Sequence, residues 1–228
     1  MRLLVSVRSA GEVEAAVQGG ADIVDAKDPS QGSLGAVILE TFASIAHAVG
    51  GARPLSAALG EPSNDRDAAA LAASFTRAGA MFVKIGFGHD MNTLAIERRL
   101  RSVQQSAAEV IAVAYADAGS DVFRRQIVDA AQSVGITGVL LDTADKDGPG
   151  LSGLLSRDEI ASWAREVVSA GLLIALAGRL TLEDVESLRD VGCGIVGVRG
   201  AACDGGRVGQ VSPDRVRRLK RAIEGARS

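Results

Sequence analysis

Short runs of β-branched and aliphatic residues recur along the chain, and helical patterns fill the gaps between them. The runs are Leu3–Val7, Ala21–Asp25, Leu55–Leu59, Met81–Ile85, Val110–Ala114, Gly138–Asp142, Leu172–Leu176 and Ile195–Val198. Several are apolar at consecutive positions rather than alternating, which suits strands buried on both faces of a parallel sheet. Helix starts are marked too. Ser9 with Glu12 and Ser156 with Glu159 fit the capping box, Thr181 with Asp184 is a weaker version, and Ser212 before Pro213 fits an N-cap followed by proline at the first helical position. Gly20, Gly79, Gly135, Gly171 and Gly192 each stand between a helical pattern and the next strand, where glycine supplies the left-handed cap.

Eight βα units in a row predict either a doubly wound sheet or a closed barrel. Eight is the barrel number, and no GxGxxG follows the first strand. The expected fold class is therefore α/β, a single (β/α)8 barrel over residues 1–228, with no linker or low-complexity stretch dividing it. A length of 228 residues lies near the lower end for such barrels, typically about 250.

Composition refines this picture. Hydrophobic residues make up 47% and aromatics 3%, so the core is packed from small aliphatic side chains. With a net charge of −3, no strongly basic face is implied, which argues against a nucleic-acid partner. The N-terminal apolar run is too short for a signal peptide, and no run reaches the ~18 residues of a membrane span. A cytoplasmic protein without a membrane partner is expected. Cys193 and Cys203 fit no disulfide or metal pattern, and no His/Cys/Asp cluster fits zinc. His47 sits in a helical pattern and reads as structural, and no essential role is expected of His89 after the fourth strand.

In such a barrel, reactive groups sit at the C-terminal strand ends and in the loops that follow. The chain has four lysines against twenty-one arginines. Lys220 lies among arginines in the last helix and reads as a solvated face. The other three fall at strand ends: Lys27 after the second, Lys84 near the end of the fourth, and Lys146 after the sixth. Asp25 and Lys27 are two apart and share a strand face. Lys84, between Val83 and Ile85, needs a counter-charge, a ligand or a depressed pKa. Amine catalysis wants this arrangement. A neutral lysine attacks a carbonyl, and the resulting iminium acts as an electron sink. Neighbouring cations and desolvation lower a lysine's pKa toward ~7–8. Asp25, Asp117 and Asp142 can move protons or orient the lysines, and Asp117 can equally cap a helix.

Phosphate sites in barrels come from the loops after strands seven and eight. Here these loops hold Gly178-Arg179 and the run Arg199-Gly200 through Gly205-Gly206-Arg207. Gly32-Ser33-Leu34-Gly35 after strand two offers the same chemistry. Expected anion contacts are Ser33, Gly178, Arg199, Gly200, Gly205 and Gly206. On the residues alone, a lysine aldolase, a sugar-phosphate isomerase and a non-catalytic phosphate-ligand binder all remain open.

These motifs resemble the (5-formylfuran-3-yl)methyl phosphate synthase family of methanofuran biosynthesis, also called 4-(hydroxymethyl)-2-furancarboxaldehyde-phosphate synthase. The resemblance covers essentially the whole chain. It is carried by Gly19-Gly20-Ala21-Asp22-Ile23-Val24-Asp25-Ala26-Lys27, Gly32-Ser33-Leu34-Gly35-Ala36, Phe82-Val83-Lys84-Ile85-Gly86, Leu141-Asp142-Thr143-Ala144-Asp145-Lys146-Asp147-Gly148 and Ile195-Val196-Gly197-Val198-Arg199-Gly200-Ala201. It implies a barrel lyase that condenses two glyceraldehyde 3-phosphate molecules with loss of phosphate and water. It also implies Lys27 as the Schiff-base lysine, Lys84 as proton acceptor, and Lys146, Asp25 and Asp142 as assisting groups. The imine serves as the electron sink, so neither metal nor organic cofactor is expected. The expected partners are a triose phosphate and, as a homo-oligomer, further copies of the chain.

Overall fold

The computed structural model describes residues 1–106 and 109–225. Eight parallel strands close into a barrel: β1 (Arg2–Val7), β2 (Ile23–Ala26), β3 (Leu55–Ala58), β4 (Phe82–Ile85), β5 (Glu109–Tyr115), β6 (Gly138–Asp142), β7 (Leu173–Leu176) and β8 (Ile195–Val198). Each strand pairs with the next, and β8 returns to β1 through Arg2↔Ile195 and Val5↔Val198. Around the outside run α1 (Val13–Gln18), α2 (Leu39–Val49), α3 (Asp65–Arg77), α4 (Thr93–Gln104), α5 (Asp121–Val134), α6 (Leu151–Leu154), α7 (Arg157–Ser169), α8 (Leu182–Ser187) and α9 (Pro213–Glu224). A small antiparallel hairpin, β9 (Cys203–Asp204) with β10 (Gln210–Val211), stands between β8 and α9. The predicted (β/α)8 barrel is the observed fold.

The consecutive apolar runs resolve into two shells. Positions such as Leu3, Val5, Val24, Val83, Leu141 and Val196 point outward and pack with Phe42, Phe75 and Leu100 of the helices in one large core. Alternate positions such as Ile23, Ile111, Val113, Leu140 and Ala175 point inward and form a smaller second core. Strand periodicity of two assigns the shells, and burial of both faces makes the run look uniformly apolar. Toward the C-terminal strand ends the inward positions turn polar, at Ser6, Asp25, Ser56, Lys84 and Asp142, all buried.

Most of the local signals in the chain correspond to observed caps. Gly20, Gly79, Gly135, Gly171 and Gly192 all have positive φ. Ser156–Glu159 and Thr181–Asp184 both close full capping boxes. Pro213 opens α9, but Ser212 makes no side-chain cap bond. The Ser9–Glu12 capping box does not form: Ser9 makes no cap bond. Glu12 instead turns inward, 1% exposed, and both its carboxylate oxygens accept from Arg199, at 2.5 and 3.0 Å. A buried guanidinium with a bidentate partner outweighs one exposed helix-end hydrogen bond. Lys220 is likewise no free surface charge. It donates to both oxygens of Asp22 at 2.8 Å and ties α9 to the turn before β2.

Candidate active site

The polar inward layer begins with Asp25. Register sets Ser6 of β1 and Ser56 of β3 directly beside it. Ser6 Oγ donates to Asp25 Oδ2 at 2.8 Å, and Ser56 Oγ donates to Oδ1 at 2.6 Å. Lys84 Nζ reaches the same Oδ1 at 2.6 Å. The fully buried carboxylate thus has three donors, and the lysine buried in β4 has the counter-charge that its apolar neighbours demand. Ser6 and Ser56 were missed from sequence. Their signal was a hydroxyl at an inward position of an otherwise aliphatic strand.

Asp142 organises the second pair. Its Oδ1 accepts from Lys146 Nζ at 2.7 Å and from its neighbour Thr143's backbone N–H at 2.7 Å. Lys146 also donates to the Thr143 carbonyl and, at 3.1 Å, to Thr143 Oγ1. Burial opposes the charge of Asp142, but Lys146, Lys27 and these hydrogen bonds outweigh it and hold its pKa below the ordinary value. Asp117 is neither a helix cap nor part of this ring. Ser120 caps α5, while Asp117 accepts from the backbone N–H groups of Ala144 and Asp145 at 2.6 and 2.8 Å. It latches the loop that carries Lys146.

Lys27 differs from the other two lysines. Its backbone N–H continues the ladder to Val7 at 3.0 Å, so the residue is fixed one step past β2. Among the described residues its Nζ makes no hydrogen bond, and its only carboxylate oxygen within 4 Å is Asp142 Oδ2 at 3.9 Å. Burial, aided by the charges of Lys146 and Lys84 and opposed by those of Asp142 and Asp25, lowers its pKa to about 8. The structure therefore brings all five predicted catalytic side chains together. Two lysines are engaged by carboxylates and one amine is left available.

A cavity of about 350 Å³ opens at this end of the barrel and is lined by all five. Its floor is apolar, from Leu4, Ile23, Ile111, Leu140 and Ile195. Of the expected anion contacts, Gly178, Arg199 and Gly200 line it, whereas Ser33, Gly205 and Gly206 do not. Ser33 Oγ donates to Tyr115 Oη at 3.0 Å, closing the β2 loop over β5. Burial, the leading cause, raises the pKa of Tyr115. Gly205 and Gly206, both with positive φ, lie in the β9–β10 turn. Arg199 lines the cavity, but its guanidinium is fully engaged: Nε, Nη1 and Nη2 donate to Glu12 and to the carbonyls of Ser6, Arg207 and Gly209. Arg179 and Arg207, which close the two loops expected to offer phosphate chemistry but were not among the expected anion contacts, also line the cavity. Gly178 is required where it stands. Its φ is +106°, and a Cβ there would meet Thr143 Cγ2 at 2.9 Å.

His47 and His89 are exposed and away from the cavity, and Cys193 and Cys203 are buried free thiols. Among the described residues, no group of three or more His, Cys, Asp or Glu residues is placed to hold a metal ion. No described helix is long and apolar enough to cross a membrane.

Fold and site together define a (β/α)8-barrel protein whose C-terminal mouth holds three lysines and two aspartates around one cavity. Solved structures share the architecture. 3-Hexulose-6-phosphate synthase from Salmonella typhimurium aligns with a TM-score of 0.67 at 15% identity, covering 98% of this chain and 99% of that one. Phosphoribosyl anthranilate isomerase from Thermus thermophilus aligns at 0.66 and 14%, covering 98% of each. At such identity they speak to fold alone. Sequence comparison is more specific. The 4-HFC-P synthase family matches residues 3–220. The (5-formylfuran-3-yl)methyl phosphate synthase of Methanothermobacter thermautotrophicus is 35% identical over 98% of this chain and 99% of its own length. That of Archaeoglobus fulgidus is 32% identical over 99% and 100%. The chain belongs to the (5-formylfuran-3-yl)methyl phosphate synthase family, and so to the enzymes.

Proposed function

We propose that this chain, as one catalytic domain, is a lyase. It condenses two molecules of glyceraldehyde 3-phosphate into (5-formylfuran-3-yl)methyl phosphate for a methanofuran-type cofactor. The observation that carries the reading is the Lys27 amine, unbonded, with its pKa lowered to about 8, beside two lysine–carboxylate pairs. Lys27 in its neutral form attacks the aldehyde carbon, and water leaves as the iminium forms. Removal of the adjacent C–H proton gives an enamine. Lys84, held against Asp25, and the Lys146–Asp142 pair stand at the same cavity to carry that proton. The enamine carbon attacks the second aldehyde. Loss of one phosphate and two waters in all then balances two triose phosphates against the aromatic product. The apolar floor suits a ring that has shed its hydroxyls.

A cytoplasmic homo-oligomer belongs to the same proposal. Ile38, Leu94 and Val122 support the oligomer: they are exposed at the N-terminal ends of α2, α4 and α5, around the mouth. Light scattering tests it. The chemistry is tested by incubating the protein with glyceraldehyde 3-phosphate, adding borohydride, mapping the adduct by mass spectrometry and assaying free phosphate. The expected result is an adduct on Lys27 with phosphate release. The absence of any adduct sinks the mechanism, and an adduct without phosphate release points to an aldolase.

A further inference from the structure

The β9–β10 turn contains one side chain whose arrangement the lysine chemistry does not explain. Arg207 lines the cavity and is half-buried, beside Gly200. Its Nη2 donates to the Gly32 carbonyl at 2.8 Å, reaching across the end of β1 to the loop that follows Lys27. Among the described residues its Nε and Nη1 donate to nothing. Among the described residues no carboxylate lies within 4 Å of it, although Asp142 and Asp147 are close enough to favour its charge. A half-buried guanidinium with two idle donors facing a cavity is built to meet an anion.

Its position is fixed from behind. Arg199 Nε donates to the Arg207 carbonyl at 3.0 Å, and Arg199 Nη2 donates to the Gly209 carbonyl at 2.8 Å. The same guanidinium is clamped by the buried Glu12 and by the Ser6 carbonyl at 2.9 Å. One arginine is thus spent on holding the turn, and a second is projected into the cavity. Arg179 is a weaker candidate, because it is exposed and already donates to the Gly148 carbonyl.

We propose that Arg207 is the specificity-determining residue that recognises the phosphomonoester of the substrate, with Arg199 and Glu12 as positioning residues behind it. This deepens the function proposed above and rests on it for the identity of the triose. The test compares wild type with Arg207→Ala on two aldehydes, glyceraldehyde 3-phosphate and unphosphorylated glyceraldehyde, trapping adducts on Lys27 with borohydride. The expected result is a KM for the phosphorylated triose raised roughly ten- to a hundredfold, as for a lost charge-assisted contact, with trapping of glyceraldehyde unchanged. Equal loss on both aldehydes, or loss on neither, overturns the assignment. Calorimetry with inorganic phosphate reads the subsite independently of catalysis. Binding weakened about tenfold or more by the substitution supports it, and equal binding overturns it. If wild type traps neither aldehyde, the Schiff-base reading falls and the trapping comparison does not apply; phosphate binding that is weakened in the variant then still supports this assignment, and equal binding overturns it. Should Arg207→Ala not fold, Arg207→Gln, which can keep the bond to Gly32, carries the same comparisons.

Discussion

A lysine amine is a nucleophile only when it is neutral, and at pH 7 an ordinary lysine with a pKa of 10.5 is neutral in about one molecule in three thousand. With Lys27 at about 8 the neutral fraction rises to roughly one in ten. Adduct formation between Lys27 and glyceraldehyde 3-phosphate is therefore expected to climb about tenfold from pH 6 to 7 and to level off above about 8. Stopped-time borohydride trapping reads this directly, and a midpoint near 10.5 would show that the depression is absent. Burial is the leading cause and the charges of Lys146 and Lys84 add to it, so Lys146→Met should move the midpoint upward. Asp25 makes the complementary case. It carries Lys84, Ser6 and Ser56 on one buried carboxylate, so Asp25→Ala strands a cation and two hydroxyls. A loss of about 3–5 kcal/mol in unfolding free energy is expected from denaturant titration, against a smaller loss for Asp25→Asn.

At the scale of the element, the Glu12–Arg199 pair joins the turn after β1 to the hairpin after β8. Glu12→Ala leaves a buried guanidinium without its carboxylate and is expected to cost about 3–5 kcal/mol. Glu12→Gln keeps one acceptor and should fold. Because the pair sets the Arg207 turn, Glu12→Gln is expected to raise KM for the phosphorylated triose while kcat and the pH midpoint of Lys27 stay unchanged, a split that steady-state kinetics resolves. Sequence reading missed this pair for a physical reason. Glu12 lies three residues after Ser9, the spacing of a helix cap, whereas its true partner is 187 positions away. Local spacing is visible in a chain and a contact of that separation is not. The same limit explains Ser33, which sits in a glycine-rich turn but donates to Tyr115 instead of lining the cavity. It also explains Arg199, whose location was read correctly but whose donors are consumed by carbonyls that no pattern reveals. Lys27, Lys84 and Lys146 were legible because charge inside or just past an aliphatic strand has few structural explanations. Asp25 was legible because strand periodicity puts it on one face with Lys27, and Asp142 because it is a carboxylate at a strand end.

For the molecule as a whole, the inner shell separates apolar floor from ionic ring, and that separation makes stability depend on pH at both ends of the scale. Asp142 has its pKa lowered on folding, so the stability it contributes is present above its unfolded value near 3.8 and is lost as pH falls through the folded one. Lys27 has the opposite sign. Its folded pKa of about 8 lies below the unfolded 10.5, so between these values the unfolded chain binds more protons and stability rises with pH. The implied cost of keeping Lys27 in the barrel at pH 7 is on the order of 3 kcal/mol. Lys27→Met removes that cost and leaves Asp142 with Lys146 as its partner. The variant is expected to be inactive yet more stable than wild type at pH 7, with the gap closing as pH rises from about 8 toward 10.5. Urea unfolding curves across that range decide the matter. A pH-independent gap would mean that the substituted thioether side chain merely packs better, whereas a closing gap ties the lost stability to the proton that Lys27 must give up before it can attack a carbonyl.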